Sequence, residues 1–166
     1  MDRQKAKDSE ICGRSGVAFL LAQLGAHAAG RFGERLSGLG LAPPDAGVMK
    51  KIAASPGISQ QALAEHLGVM PSRMVALIDE LEQKKLVDRV SSSEDRRMYA
   101  LRLTARGQQV LGEIGRIGLE HERDLCSALN EKERETLAGL CSRIASQQGL
   151  TPGVHPGYRM LGKKPG

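Results

Sequence analysis

Arg96 and Arg97 directly follow Asp95 in a polar run, Ser91 to Arg97, that has alternating apolar residues on either side. An arginine at the tip of a β-hairpin can enter the narrow, electronegative minor groove of DNA. An aspartate close by can hold its guanidinium with a charge-assisted hydrogen bond. A second candidate, Arg73, stands near the start of a helical stretch in the company of Met70, Ser72 and Ala76. A guanidinium there can bond O6 and N7 of guanine bidentately, and the Ala76 methyl can meet the methyl of thymine. Each of these residues taken alone is also an ordinary solvated surface group. The elements that carry them decide between the two readings.

Those elements follow from the apolar spacing. Val17, Leu20, Leu21, Leu24, Ala28, Phe32, Leu36 and Leu39 recur at helical intervals and predict a first helix over about 15–39, closed by Gly40. Pro43 and Pro44 suit the first turn of a second helix, whose buried side is Val48, Met49, Ile52 and Ala53. Ser59 is a good N-cap for a short third helix, Gln60 to Leu67, with Gly68 where a left-handed residue is wanted. The fourth helix, Pro71 to Lys85, turns Met74, Leu77, Ile78 and Leu81 inward. The period then changes to two, over 86–90 and 98–103, which predicts a hairpin around the polar run. Thr104 caps a fifth helix to about Leu129, with Val110, Leu111, Ile114, Ile117 and Leu125 inward and several glycines that weaken it or admit close packing. Asn130 and Glu133 form a capping box for a sixth helix, whose stripe is Leu137, Leu140, Cys141 and Ile144.

Two helices joined by a tight turn and followed by a hairpin make a helix-turn-helix with a wing. The expected fold is therefore mainly α with a small β-hairpin wing, the winged unit spanning about 43–104. The exposed N-terminal face of its second helix is the part that reaches base edges in such a unit. The candidate contacts to double-stranded DNA are Ser59, Gln60, Met70, Ser72, Arg73, Ala76, Asp95, Arg96 and Arg97. The helices over about 15–39 and 104–148 exceed what one winged unit needs to cover, and their surplus apolar surface asks for a partner. A homodimer is expected, with these as its dimerisation helices. Residues 1–14 are expected to be flexible, and the Gly- and Pro-rich basic tail, 149–166, to have no structure of its own.

Composition narrows the partners. The formal charge is +5, and seven cations against three acids between Lys84 and Arg106 hold most of it. Two Phe, two Tyr and no Trp argue against single-strand and most RNA readers, which stack bases on aromatic platforms. No phosphate-binding glycine loop, Gly-x-Ser-x-Gly or His-Glu-x-x-His occurs, so no enzyme and no cofactor is expected. The polar N-terminus reads as neither leader nor membrane segment. Together with three cysteines at no metal-like spacing, it fits a cytoplasmic protein.

The stretch VMPSRMVALIDELEQKKLVDRVSSSEDRRMYALRLTARG resembles the recognition helix and wing of the MarR family of bacterial regulators. That family's pattern runs Leu-Ile-Asp-x-Leu-Glu, Gly-Leu-Val, Asp-Arg-Arg, Leu-x-Leu-Thr-x-x-Gly. Leu77, Ile78, Asp79, Leu81, Glu82, Leu86, Val87, Asp95, Arg96, Arg97, Leu101, Leu103, Thr104 and Gly107 fall in register with it. Lys85 stands where the family usually has glycine, and Ala76 where it often has a longer polar residue. The resemblance implies a homodimer with interlocked terminal helices on a pseudo-palindromic operator. It further implies a repressor released by a small-molecule effector bound between the dimerisation and DNA-binding parts.

A small anionic aromatic effector is the theme the resemblance carries, and Arg14, His27 and Arg31 are the candidate cations for it. A thiol switch is the alternative, with Cys12 as its candidate, although Cys12 lies upstream of the place where peroxide-sensing members carry their cysteine. No metal site is expected. The rival of a different class is a winged-helix module that binds protein, against which the arginines at 96 and 97 speak.

Overall fold

The computed structural model describes residues 16–91, 99–155, 157 and 158. The described residues form α1 (Val17–Ser37), α2 (Pro43–Ala54), α3 (Gln60–Leu67), α4 (Pro71–Gln83), β1 (Val87–Ser91), β2 (Tyr99–Leu103), α5 (Ala105–Leu125) and α6 (Glu131–Gln147). The fold is mainly α with one antiparallel hairpin, as expected.

The helix ends obey local chemistry. The Ser59 hydroxyl accepts the Ala62 N–H at the start of α3, and Gly68 closes that helix at φ 64°. Asn130 and Glu133 satisfy each other's backbone N–H groups at the start of α6. At α2 the Asp45 carboxylate accepts the Ala42 N–H at 2.9 Å, so a buried acid serves as the cap. Thr104 does two jobs. Its hydroxyl accepts the Gly107 N–H to start α5 and donates to the Lys85 carbonyl.

In the hairpin Val87 pairs with Leu103 and Ser91 with Tyr99. The far side of β2 bonds to the chain ahead of α3, Leu101 N–H to Ile58 O and Gly57 N–H to Leu101 O, both at 3.0 Å. The wing is thereby sewn to the helix-turn-helix by backbone bonds. The core lies inside the winged unit: Met49, Ile52, Leu63, Met74, Ile78, Leu81 and Leu101 are all fully buried. Gly107 lets α5 cross the end of the hairpin, because a Cβ there would lie 2.0 Å from the Leu86 carbonyl oxygen.

Lys85, the residue standing where glycine was expected, takes the glycine conformation at φ 58°. Its N–H bonds Glu82 O and the Leu86 N–H reaches back to Leu81 O, so α4 ends in a left-handed cap built on a lysine. This places the end of α4 at Gln83 rather than Lys85. A left-handed non-glycine residue costs about 1–2 kcal/mol, part of which glycine would return through its freer unfolded chain. Lys85→Gly is therefore expected to stabilise the fold by about 0.5–1 kcal/mol and to raise the melting temperature by roughly 1–4 °C. A lower melting temperature would show that the lysine side chain contributes more than its backbone strain costs.

Three expectations need correction. Ala53 is exposed on α2 rather than buried. Leu125 does not point inward; it is 40% exposed at the end of α5. The tail is not without order from 149 onward either. Tyr158 is buried, and its hydroxyl donates to the Pro44 carbonyl at 2.9 Å. One aromatic anchor in a Gly- and Pro-rich composition is enough to seat the segment before it.

Candidate nucleic-acid interface

The turn between α3 and α4 is short because Gly68 reverses the chain and the buried Val69 plugs the corner, its N–H bonded to Ala64 O. With Met74, Leu77, Ile78 and Leu81 fixed in the core, α4 can present only its opposite face. Met70 and Ser72 are exposed there, and Arg73 and Ala76 are half-buried beside them. Among the described residues Arg73 makes no ion pair. Ser59 and Gln60 stand at the start of α3, engaged in structure: Ser59 caps the helix and Gln60 accepts a bond from Arg89 at 3.2 Å. Asp95, Arg96 and Arg97 lie outside the described residues, as do Cys12 and Arg14.

Arg89 organises this face, and the sequence reading did not single it out. From β1 its guanidinium bonds Asp79 and Glu82 on α4 and Gln60 on α3, and it is only one-fifth exposed. One side chain thus joins the hairpin, α4 and α3. It also offsets part of the charge of two carboxylates on a surface where uncompensated acids would repel phosphate. The signal was present in Asp79 and Glu82, acids three residues apart on one helix face, but no local pattern points from them to Arg89.

A cavity of about 1030 Å³ opens between α1, α2, α5 and the segment 151–158. Its walls are mostly apolar, with Phe32, Leu111, Ile114 and Leu119 among them, and its polar side chains are Lys50, Glu122, His155 and Tyr158. His27 and Arg31 stand exposed on α1 and are not part of this lining. They face His121 of α5, whose pKa is lowered by burial first and then by the charges of Arg35 and Arg31. An ion pair between Arg35 and Asp124 ties α1 to α5. Tyr158 is pushed up to about 12, by burial first and by the Asp45 charge second. Among the described residues no group of His, Cys, Asp and Glu could hold a metal ion, and no helix is long and apolar enough to cross a membrane.

Residues 39–98 match the profile described as MarR family. A protein of Thauera aromatica named "Putative transcriptional regulatory protein for hcr operon" is 38% identical over 113 residues, 68% of each chain. The HTH-type transcriptional repressor Rv2887 of Mycobacterium tuberculosis is 34% identical over 92 residues, 55% of this chain and 66% of its own. The structure of that protein in complex with salicylic acid superposes with a TM-score of 0.64 at 24% identity, covering 79% of this chain and 97% of the other. The transcriptional repressor CouR bound to a 23-mer DNA duplex superposes with a TM-score of 0.70 at 27% identity, over 78% of this chain and 92% of that one.

Proposed function

Because the chain belongs to the MarR family of transcriptional regulators, we propose that it is a homodimeric, sequence-specific reader of double-stranded DNA, a repressor released by a small aromatic acid. The observation that carries this reading is the presentation of Ser72, Arg73 and Ala76 on the one face of α4 that the core leaves free. The relatives support it: Rv2887 and CouR are named repressors, and CouR was solved on DNA.

In this reading α4 enters the major groove and Arg73 reads a guanine, while Arg96 and Arg97 of the wing reach the minor groove and Asp95 positions them. Arg89 holds wing and helix at a fixed mutual angle. The effector occupies the cavity between α1, α2 and α5, where the apolar walls take an aromatic ring and Lys50 supplies a cation for its carboxylate. Lys50 serves this role in preference to His27 and Arg31, which stand outside the lining. Rv2887 with salicylic acid is the precedent for the ligand class.

Mobility shifts with the DNA upstream of the protein's own gene, with and without salicylate, test the reading as a whole. Within it, Arg73→Ala is expected to cost about 1–3 kcal/mol on the cognate operator and to relax discrimination at one base position per half-site. Arg97→Ala should cost a similar amount without unfolding the chain, and Asp95→Ala less, since it acts only through the arginine. If Arg73→Ala weakens all sequences equally, the residue touches phosphate only. If it binds and discriminates as wild type does, α4 is not the reader.

A further inference from the structure

Tyr158 follows a Gly- and Pro-rich segment, yet it docks against a helix more than a hundred residues away. Its ring is buried in the main core, and its hydroxyl donates to the Pro44 carbonyl in the first turn of α2. The next turn of that helix carries Gly47, and a Cβ there would lie 1.8 Å from the Tyr158 hydroxyl oxygen. A glycine inside a helix is less favourable than alanine, and here the tyrosine hydroxyl occupies the space that a Cβ would fill. The segment before it is shaped to arrive there: Val154 N–H bonds Thr151 O, Tyr158 N–H bonds His155 O, and the Gly157 N–H donates to His155 Nδ1. Gly153, His155, Gly157 and Tyr158 form one wall of the cavity.

The anchoring point leads on to the recognition helix. Asp45, next to Pro44, is buried, and its carboxylate lies 3.9 Å from Lys84 Nζ. Lys84 is the C-cap residue of α4 and also donates to Gly40 O at 2.8 Å. Tyr158, the first turn of α2 and the end of α4 are therefore joined by consecutive contacts, through buried Tyr158 and Asp45 to the half-exposed Lys84.

We propose that the described residues 151–155, 157 and 158 act as a latch: Tyr158 keys into the glycine notch of α2, closes one wall of the cavity, and holds the end of the recognition helix in the position that reads DNA. The docking stands on the contacts alone, while its effect on DNA rests on the regulator reading given above.

The chain has two tyrosines and no tryptophan, so in a Tyr99→Phe background intrinsic fluorescence reports Tyr158 alone. Acrylamide quenching of the full-length protein is expected to show a shielded tyrosine, far less accessible than in urea. Gly47→Ala should raise its accessibility to the unfolded level while helical circular dichroism persists, and should weaken operator binding by about 2- to 30-fold. Truncation after Leu150 should weaken binding to the same degree, which keeps the test open if Gly47→Ala folds poorly. Gly112→Ala, on the exposed side of α5 outside the cavity lining and with no atom within 4 Å of the added Cβ, should change neither readout. A wild-type Tyr158 as accessible as in urea overturns the latch, as does one that stays shielded in Gly47→Ala. Release of Tyr158 with unchanged operator affinity overturns its role in DNA reading. A wild-type chain that binds no DNA overturns the regulator reading instead, and a shielded Tyr158 freed by Gly47→Ala then upholds the docking.

Discussion

Raising salt from about 50 to 200 mM is expected to lower operator affinity roughly 10³- to 10⁵-fold, the response of a protein that neutralises some 6–10 phosphates. The chain has the charge for it. Its formal charge is +5, and the stretch from Lys84 to Arg106, which holds the wing and the end of the recognition helix, carries seven cations against three acids. The two acids on the face of α4, Asp79 and Glu82, both pair with Arg89, itself one of those seven cations, so its guanidinium offsets one of their two charges and the other cations of the stretch carry the field. Fluorescence anisotropy of a labelled operator duplex, titrated at several salt concentrations, gives the slope of log affinity against log salt. A steep slope on both cognate and unrelated duplexes, with a constant gap between them, is the signature of phosphate contacts overlaid by base reading. A flat response would leave the protein-binding module as the better account of the same winged fold.

Much of this architecture was legible in the sequence, for a reason that particular residues make clear. Met74, Leu77, Ile78 and Leu81 recur at helical spacing and are all buried. Ser59, Thr104 and the Asn130–Glu133 pair each satisfy backbone groups within three residues of themselves. Those are local signals, and periodicity and capping carry them directly. What was not legible depends on contacts between residues far apart in the chain. Arg89 is an unremarkable strand arginine until folding brings Asp79, Glu82 and Gln60 around it. Tyr158 lies in a composition that reads as unstructured, and its partners Pro44 and Gly47 are more than a hundred residues away. Lys85 departs from the glycine that its left-handed position favours, so conformation there could be inferred only from the pattern around it. The apolar stripe of α1 divides in a way periodicity could not foresee. Leu36 is buried in the winged unit, whereas Val17, Phe19, Leu20, Leu21 and Leu24 remain exposed.

That division sets up the second expected result: Leu140→Glu should convert a dimer into a monomer and lower operator affinity by about 10²- to 10⁴-fold, the advantage gained when two linked modules bind together. Among the described residues, helix α6 has none that is buried. Leu137, Leu140 and Ile144 are 43%, 49% and 40% exposed and lie on one side of that helix, at intervals of three and four. Leu125 at the end of α5 and the first two turns of α1 add further uncovered apolar side chains. An amphipathic helix whose apolar face meets water gains little from being helical, since most helical stability comes from packing that face. In the proposed homodimer a second copy would supply the missing surface, and a twofold pair of α4 helices would then face two half-sites about one turn of DNA apart. Because Leu140 is not part of the core formed by the described residues, a glutamate there leaves the winged unit intact, and circular dichroism should report retained helix. Sedimentation equilibrium at micromolar concentration checks the association state, and the same preparations titrated on full and half operators check the affinity. The monomer should bind the half operator as wild type does and lose only the gain from the second half. A wild-type chain that sediments as a monomer, or a Leu140→Glu dimer that binds undiminished, would place the twofold axis elsewhere and leave α6 without a partner.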